Sequence, residues 1–462
     1  MVLLEKINQF IWGIPALLMI LSLGIYLTIR TGLIQFRFFP KAFQAFITAF
    51  KKRKSDKDDI SPFRALCTAL AATVGTGNLA GVAGAIAIGG PGSIFWMWIC
   101  ALLGMVIKFS EAVLSVRFRI RDASGGYIGG PMYMIQYGMG KRWTWLACIY
   151  AFLGTIAAFG VGNGTQINTV IASVNSIVTA FGGTPTQLRN LGLGLIFAFI
   201  IGLALMGGVK RIGAVTESLI PFASLAYVLL GLGVLVIRFR AVPSAFQSIL
   251  TGAFQPHAVT GGMIGSMMQA VHIGVSRGVF TNEAGMGTAG IAHSTAKVSH
   301  PVEQGLMGIV EVFLDTIVIC TITALVILCS GISITYGQDN GMALTAAAFT
   351  SIYGKWINIF LSAAIACFAI ATILGWGLYG IRCVQFLFGS NAWRPFVWIQ
   401  IIITVISAVL NTKTVWLLTE MVNGLMAIPN LFAVGVLSPE LMRQIKDYRT
   451  KQTEGKLKTN TA

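Results

Sequence analysis

Long apolar segments recur along the chain and are separated by short polar joins. A helix needs about 20 mostly apolar residues to cross a hydrocarbon core of ~30 Å, and eleven segments meet that requirement. The predicted spans lie at 10–29, 64–89, 92–116, 143–174, 190–208, 213–237, 260–282, 303–330, 355–380, 394–411 and 414–436. The pattern therefore predicts an all-α integral membrane protein with about 11 transmembrane helices.

Composition and charge support the same class. Of 462 residues, 55% are hydrophobic and 11% are charged, whereas soluble domains carry about 25% charged residues. The net charge of +17 comes from Lys and Arg in a few loops and in the tail, which the positive-inside rule assigns to the cytoplasm. We therefore expect a multi-pass protein of the plasma (inner) membrane, with its N-terminus outside and its C-terminus cytoplasmic, and no nucleic-acid partner.

Few residues are of the kinds that carry catalysis or hold cofactors. The seven cysteines form no Cys-x-x-Cys pair, and the four histidines follow no metal-ligand spacing. The sequence contains no nucleophile elbow and no phosphate-binding loop. It therefore predicts neither an enzyme nor a disulfide framework. The first span is too long for the core of a signal peptide and is expected to be retained.

Two spans are interrupted by paired glycines with polar residues between them. The first contains LAATVGTGNLAG at 70–81, and the second contains AVHIGVSRGVFTNEAG at 270–285. Each opens a set of five spans once the first helix is set aside, so the two sets have opposite orientations in the membrane. Matching interruptions in two such halves are typical of transporters built from inverted repeats. We therefore expect breaks near Gly75–Gly77 and around Gly274 and Gly278.

The chemistry of the first interruption favours ligand binding. Glycine weakens a helix and asparagine is costly in hydrocarbon, so span formation alone does not explain Thr76 and Asn78. Unwound backbone at membrane depth frees carbonyls that can hold a cation, and the amides of the next half-helix can hold an anion. The alternative is close helix packing, because Gly77 and Gly81 form a small-xxx-small pair.

Other polar and charged side chains within the spans are candidates for the same site or for internal pairing. Gln269, His272 and Ser276 share one face of the second interrupted span. The remaining polar candidates are Asn163, Thr165, Gln166, Asn168, Thr372 and Trp376. Among charged residues, Lys108 and Glu111 are spaced to pair with each other. Glu311 and Asp315 share a face that suits either a proton path or a salt bridge with Arg277.

Four stretches together resemble the alanine/glycine:cation symporter family. They are LAATVGTGNLAGVAGAIAIGGPGSIFWMW at 70–98, GGPMYMI at 129–135, TNEAGMGTAGIAHSTA at 281–296 and HPVEQGLMGI at 300–309. The resemblance implies a leucine-transporter-type fold with a five-plus-five inverted repeat and discontinuous first and sixth core helices. It divides the chain into an extra N-terminal helix at 1–30, a basic cytoplasmic amphipathic linker at 31–62, repeats at 63–240 and 241–437, and a basic cytoplasmic tail at 438–462.

The resemblance also implies a site midway through the membrane. The substrate carboxylate is expected to meet amides of Gly75, Thr76 and Gly77. The other residues expected to line the substrate are Asn78, Gln166 and Gln269 for polar groups, the backbone from Gly274 to Ser276 for the ammonium, and Trp376 for side-chain volume. Sodium is expected between carbonyls of Ala71 and Val74 and the hydroxyl of Thr372, since a hard cation prefers oxygen ligands.

The function implied is sodium-coupled symport of small neutral amino acids, alanine or glycine, into the cell by alternating access. The coupling ion is Na⁺, no other cofactor is expected, and no oligomeric state is predicted. One alternative is a proton-coupled carrier that uses Glu311, Asp315 or His272. A second alternative, of another class, is a membrane channel or sensor in which the glycine breaks serve gating.

Overall fold

The computed structural model describes residues 14–51, 60–122, 125–256, 260, 266–338, 341–410 and 412–455. Within these ranges the regular structure is helical apart from one short hairpin, in which β1 (Ile120–Arg121) pairs antiparallel with β2 (Tyr127–Ile128). The prediction of an all-α architecture therefore holds for the described part of the chain.

The first half of the chain forms ten labelled helices. They are α1 (Ile14–Thr31), α2 (Phe39–Lys51), α3 (Pro62–Thr73), α4 (Val82–Gly89), α5 (Ser93–Arg117), α6 (Thr144–Phe159), α7 (Thr165–Ala180), α8 (Gln187–Met206), α9 (Gly208–Ile237) and α10 (Val242–Phe254). Shorter helical pieces lie at Ile34–Arg37, Pro131–Tyr133, Lys141–Trp143 and Phe239–Ala241.

The second half adds nine labelled helices. They are α11 (Met267–Asn282), α12 (Thr288–His293), α13 (Pro301–Val312), α14 (Thr321–Cys329), α15 (Gly341–Tyr353), α16 (Ile357–Phe388), α17 (Trp393–Ser407), α18 (Thr412–Val436) and α19 (Ser438–Thr453). A short helical piece, Ser390–Ala392, precedes α17. Wider π-helical turns occur at Gly77–Gly81, Met134–Met139, Gly160–Gly164 and Phe313–Cys320.

Six helices of the described chain are long and apolar enough to cross a membrane, and the number is eight if each of two bent pairs is one span. One bent pair joins Pro62–Thr73 to Gly77–Gly89 at 51°, and the other joins Met421–Val436 to Ser438–Thr453 at 58°. The described part of every predicted span falls on a helix or a bent pair. The total of eleven and the division into two repeats stay predictions.

Two long helices organise the packing. α5 contacts α1, α11, α12 and α13, whereas α16 contacts α3, α6, α7, α9 and α17. The broken pair α3–α4 lies between these groups, since α3 contacts both α9 and α16, and the π-helical turn before α4 contacts α11 and α15. The first break therefore lies where two helix groups meet, which is the usual place for a transporter site.

Local sequence signals explain where the two half-helices beside the site begin. Ser61 caps α3 by accepting a hydrogen bond from the Arg64 amide at 3.1 Å, and Pro62 occupies the first helical position. Ser266 caps α11 in the same way, accepting from the Gln269 amide at 3.2 Å. Both helix starts are therefore encoded locally.

The polar segment at 330–345, between α14 and α15, ends in the first turns of α15. α15 begins at Gly341, and Thr345 Oγ1 donates to the Leu79 carbonyl at 3.0 Å, while the Gly337 amide donates to the Ala87 carbonyl at 2.9 Å. A π-helical turn leaves carbonyls poorly matched to the helical ladder, and Thr345 satisfies one of them. This segment is therefore attached to the second half of the first broken helix.

The backbone at Gly92 packs directly against the backbone at Gly252, so Gly92 has no room for a side chain. A Cβ added to Gly92 would lie 2.0 Å from the Gly252 carbonyl carbon, whereas one added to Gly192 meets nothing within 4 Å. We expect Gly92→Ala to destabilise the protein by the upper end of the ~1–3 kcal/mol typical of overpacking. Thermal unfolding of purified protein in detergent checks this, with Gly192→Ala as the control, and equal melting temperatures would contradict it.

Candidate functional site

At the first break a side-chain hydrogen bond takes the place of a backbone one. α3 ends at Thr73, Val74 is extended, and the Gly75 amide donates to Asn78 Oδ1 at 2.8 Å. In an unbroken helix that amide would donate to the Ala71 carbonyl four residues earlier. The Ala71 carbonyl therefore loses its helical donor, and the predicted break at Gly75–Gly77 is confirmed.

Asn78 joins this break to the π-helical turn Phe313–Cys320. Its Nδ2 donates to Asp315 Oδ1 at 2.7 Å and to the Asp315 carbonyl at 3.2 Å, and Asp315 also accepts from Thr316 Oγ1 at 2.8 Å. Both ends of the Asn78 amide are thus engaged within the protein. Of the two roles left open for Asp315, the salt bridge with Arg277 is not formed, because the partners of Asp315 among the described residues are Asn78 and Thr316.

Thr372 lies directly opposite the break. A Cβ built on Gly75 would lie 2.7 Å from Thr372 Oγ1, and Thr372 is 1% exposed. Its hydroxyl has no hydrogen-bond partner in the described part of the chain, although a helical threonine usually donates to its own helix backbone. An unpartnered buried hydroxyl beside a released carbonyl fits a small oxygen-coordinated cation.

Gln166 closes another side of the same space. It follows the π-helical turn Gly160–Gly164, its Oε1 accepts from Thr76 Oγ1 at 3.2 Å, and its Nε2 donates to the Val161 carbonyl at 3.1 Å. The same Oε1 lies 3.8 Å from a Cβ position at Gly75. The structure therefore brings Gln166, Thr76 and Thr372 together around Gly75.

The second break is not where the glycine spacing predicted it. α11 runs without interruption through Gly274 and Gly278 to Asn282, so that prediction is wrong. Both glycines serve packing instead: a Cβ on Gly274 would lie 2.3 Å from the Ser93 carbonyl oxygen, and one on Gly278 would lie 3.2 Å from Cys100. Close packing offsets the ~1 kcal/mol that glycine costs inside a helix.

The chain turns out of α11 at residues 283–287, between α11 and α12. Glu283 adopts a left-handed conformation with φ 54°, and Gly285 and Gly287 also have positive φ values of 96° and 76°. A non-glycine residue in this region costs ~1–2 kcal/mol. Such strain is often found at functional sites. These residues, rather than Gly274 to Ser276, form the second break.

Trp376 connects the second break to α16. Its indole Nε1 donates to Glu283 Oε1 at 2.9 Å, and Thr288 Oγ1 donates to Glu283 Oε2 at 2.6 Å. The ring also packs against the π-helical turn Gly160–Gly164, since a Cβ on Gly162 would lie 2.7 Å from Trp376 Cγ. Trp376 lies one turn beyond Thr372, so both breaks meet the same segment of α16.

Glu111 holds the backbone of the second break. Its Oε1 accepts from the amides of Gly285 at 3.0 Å and Gly287 at 3.1 Å, and from Asn430 Nδ2 at 2.6 Å. The predicted pairing of Lys108 with Glu111 is wrong: Lys108 Nζ lies 3.3 Å from Glu311 Oε1, and His293 Nε2 lies 2.8 Å from Glu311 Oε2. Glu311 is thus paired with Lys108 and His293 rather than with Arg277.

Gln269 lies away from the first break. Gln269 Nε2 donates to the Ile88 carbonyl at 3.0 Å, and Ile88 is 11 residues beyond Gly77, a helical rise of about 16 Å. His272 and Ser276 lie on the same helix as Gln269, before its end at Asn282. The structure therefore places Gln269 beside the end of α4 rather than beside the first break.

A cavity of about 920 Å³ reaches the first broken helix from the end of the bundle that carries α15. Its lining includes Leu79, Gly81, Thr169, Ser173, Arg277 and Thr345. The walls are mostly apolar with a few hydroxyl groups and one cationic side chain. Such a cavity suits the passage of a small polar molecule to the break.

Glu283 and the role of Glu111 were not predicted from the sequence. The signal for the first was present, because Gly285 and Gly287 follow Glu283 closely, and glycine commonly ends helices. The role of Glu111 had no local signal, since its partners lie 174 and 319 positions away. Only the packing of α5 against the second break brings them together.

Comparison with known proteins agrees with this architecture. The model of the sodium:alanine symporter family matches residues 1–462. The sodium/alanine symporter AgcS of Methanococcus maripaludis is 39% identical over 96% of this chain and 96% of its own length. An uncharacterized transporter of Haemophilus influenzae is 40% identical over 96% of this chain and 95% of its own.

Among solved structures, the chain is similar to MhsT in complex with L-phenylalanine. The TM-score is 0.58 at 14% sequence identity, and the match covers 82% of this chain and 89% of that one. At this identity the similarity shows the fold, which is the leucine-transporter-type fold expected from the sequence. With a family model that covers its whole length and a multi-pass helical structure, the chain belongs to the sodium:alanine symporter family and is a membrane transporter rather than an enzyme.

Proposed function

We propose that this protein carries small neutral amino acids, alanine or glycine, into the cell together with Na⁺. The observation that carries the proposal is the unpartnered hydroxyl of Thr372, which is buried against the break where the Ala71 carbonyl has lost its helical donor. The Val74 carbonyl turns out of the helix at the same place, because Val74 is extended. These three oxygens are the proposed sodium ligands.

The proposed substrate site lies beside this ion. The first amides of the half-helix that begins at Gly77 have no partners within the helix and lie at its positive end, so they suit a carboxylate. Gln166 lies within reach of Thr76 and offers an amide to the same ligand. The name of the relative AgcS, a sodium/alanine symporter at 39% identity, supports alanine as the substrate to test first.

Coupling follows from the position of the ion. Sodium bound by Ala71, Val74 and Thr372 joins the first broken helix to α16, and this stabilises the arrangement of backbone that the amino acid needs. By linkage, each ligand then raises the affinity for the other. Alternating access follows if the group around α5 rocks against the group around α16, with residues 63–240 and 241–437 as the two repeats and the N-terminus outside.

Asn78 acts in this proposal as a positioning residue. Its Oδ1 holds the Gly75 amide, and its Nδ2 holds Asp315, so it keeps the break open from within the protein. Gln269 and the backbone from Gly274 to Ser276 lie in or beside an intact helix and have no part in the proposed site.

Uptake of labelled alanine into proteoliposomes tests the proposal. With an imposed inward Na⁺ gradient we expect alanine to accumulate above its equilibrium level, and with choline in place of Na⁺ at the same pH we expect no accumulation. Accumulation driven equally well by a proton gradient without Na⁺ would favour the proton-coupled alternative. Equilibration without accumulation under every gradient would favour a channel.

We propose that Trp376 limits the size of the transported side chain. Trp376→Leu removes part of the indole wall, so we expect alanine to bind about 10-fold more weakly and leucine to compete better than it does in the wild type. Competition of unlabelled leucine against labelled alanine uptake measures this. Trp145→Leu is the matched control, because Trp145 is 57% exposed on the outer surface of the bundle. An unchanged leucine-to-alanine preference in Trp376→Leu would contradict the role.

A further inference from the structure

A buried carboxylate in the second break has no role in the proposed sodium and carboxylate sites. Glu283 is 3% exposed, and its oxygens accept hydrogen bonds from Trp376 Nε1 and Thr288 Oγ1. Both donors are neutral, and no basic nitrogen in the described ranges forms an ion pair with Glu283. A carboxylate in the membrane interior with neutral partners alone is costly to ionise, so a cationic ligand that pairs with its charged form would be strongly favoured.

Most other carboxylates buried in the described core have charge partners or several backbone donors. Glu311 pairs with Lys108, Glu217 pairs with Arg64, and Glu111 accepts from two backbone amides and Asn430. Asp315, like Glu283, has neutral partners, but it lies within a continuous helical segment. Glu283 is distinguished by its place at the end of a half-helix.

That place adds to the attraction for a cation. Glu283 directly follows Asn282, the last residue of α11, and the carbonyls of a last helical turn have few partners within the helix. The Ala284 amide, which could have capped them, donates instead to Asn282 Oδ1 at 3.0 Å. The negative end of the helix dipole therefore points to the same region as the carboxylate.

The two breaks are adjacent. A Cβ built on Gly77 would lie 3.6 Å from Thr281 Oγ1 and 3.7 Å from Phe280 Cδ1, both in the last turn of α11. On the opposite side, Trp376 holds Glu283 one turn beyond Thr372, which faces Gly75. Amides that favour an anion and a carboxylate that favours a cation therefore belong to the same site.

We infer that Glu283 binds the ammonium group of the transported amino acid. The inference rests on the proposed function and replaces the backbone of Gly274 to Ser276 as the ammonium site. Recognition of the zwitterion is then divided between the breaks: the first break binds the carboxylate through backbone amides, and the second binds the ammonium through Glu283. The left-handed backbone of Glu283 is the conformation in which Trp376 and Thr288 hold the carboxylate.

Glu283→Gln tests the inference, because glutamine keeps the size and an acceptor oxygen for Trp376 but removes the charge. The probes are alanine and propionate, which share a carboxylate and differ in the ammonium. Binding is measured as thermal stabilisation of purified full-length protein at saturating Na⁺. We expect E283Q to weaken alanine binding by about 100-fold, the usual cost of removing one partner of a buried charge pair. We expect the affinity for propionate to change by less than about 3-fold, so the protein should lose most of its preference for alanine over propionate.

Glu111→Gln is the matched control, since it removes another buried carboxylate that contacts the same break through backbone amides. We expect Glu111→Gln to weaken the binding of alanine and the binding of propionate by the same factor. If E283Q does not fold, Glu283→Gly replaces it, because glycine is favoured at positive φ and also removes the charge. We expect E283G to lose the preference for alanine as well.

An E283Q or E283G protein that keeps the wild-type preference for alanine over propionate would overturn the inference and leave the proposed function intact. Wild-type protein that binds alanine and propionate equally would also overturn it. Wild-type protein that binds no neutral amino acid in the presence of Na⁺ would instead overturn the proposed function, and the inference with it.

Discussion

Gly75→Ala is expected to abolish Na⁺-driven uptake, with a loss of at least about 100-fold. The added methyl group would lie 2.7 Å from Thr372 Oγ1, closer than carbon and oxygen approach without a bond. Either Thr372 rotates away from the break or the break widens, and in both cases the proposed sodium ligands separate. The measurement is initial alanine uptake into proteoliposomes with a saturating inward Na⁺ gradient.

Gly81→Ala is the matched control for this change. It adds the same methyl group to the same broken helix, but the nearest atom in reach is Thr281 Oγ1 at 3.8 Å, an ordinary contact distance. We expect uptake by Gly81→Ala to stay within about 3-fold of the wild type. If Gly75→Ala transports as well as Gly81→Ala, the proposed sodium site lies elsewhere.

Thr372→Val is expected to raise the Na⁺ concentration for half-maximal uptake by about 10- to 100-fold, since losing one oxygen ligand of a small cation costs about 1.4–2.8 kcal/mol on this scale. Valine keeps the shape of threonine and removes the hydroxyl, which has no hydrogen-bond partner in the described chain. The change therefore breaks no internal hydrogen bond, and we expect the melting temperature without Na⁺ to be unchanged or higher.

The Na⁺ dependence of alanine uptake measures this effect. Thr372→Ser is expected to keep the wild-type Na⁺ concentration for half-maximal uptake, because serine retains the hydroxyl. Thr323→Val serves as a second comparison: Thr323 is equally buried but pairs with Tyr227 at 2.7 Å, so its loss is expected to lower stability without altering Na⁺ dependence. Wild-type Na⁺ dependence in Thr372→Val would show that Thr372 is not a sodium ligand.

The glycines of the two interrupted spans have different outcomes for one physical reason. Glycine in a span either permits unwinding or permits close packing, and the local sequence is the same in both cases. At Gly75 the break forms because Asn78, three residues away, takes the amide that would continue the helix. At Gly274 the helix continues because the backbone of Ser93, far along the chain, lies against it. The second outcome depends on a neighbour that no local pattern identifies.

The pairing of charges shows the same limit. Spacing alone matched Lys108 with Glu111, which share a helix face. In the structure Lys108 pairs with Glu311, and Glu111 holds the amides of Gly285 and Gly287. A buried charge pairs with whichever group best offsets its desolvation, and that choice depends on the packing of α5 against the second half of the chain.

The sequence by itself determined the membrane class, the helical segments, the family and the first break, because these depend on apolar length, on distinctive motifs and on residues three or four positions apart. The tertiary structure alone decided the position of the second break, the partners of the buried carboxylates and the hydrogen bond between Trp376 and Glu283. Those features depend on contacts between helices that are distant in sequence, and such contacts exist only after the bundle has packed.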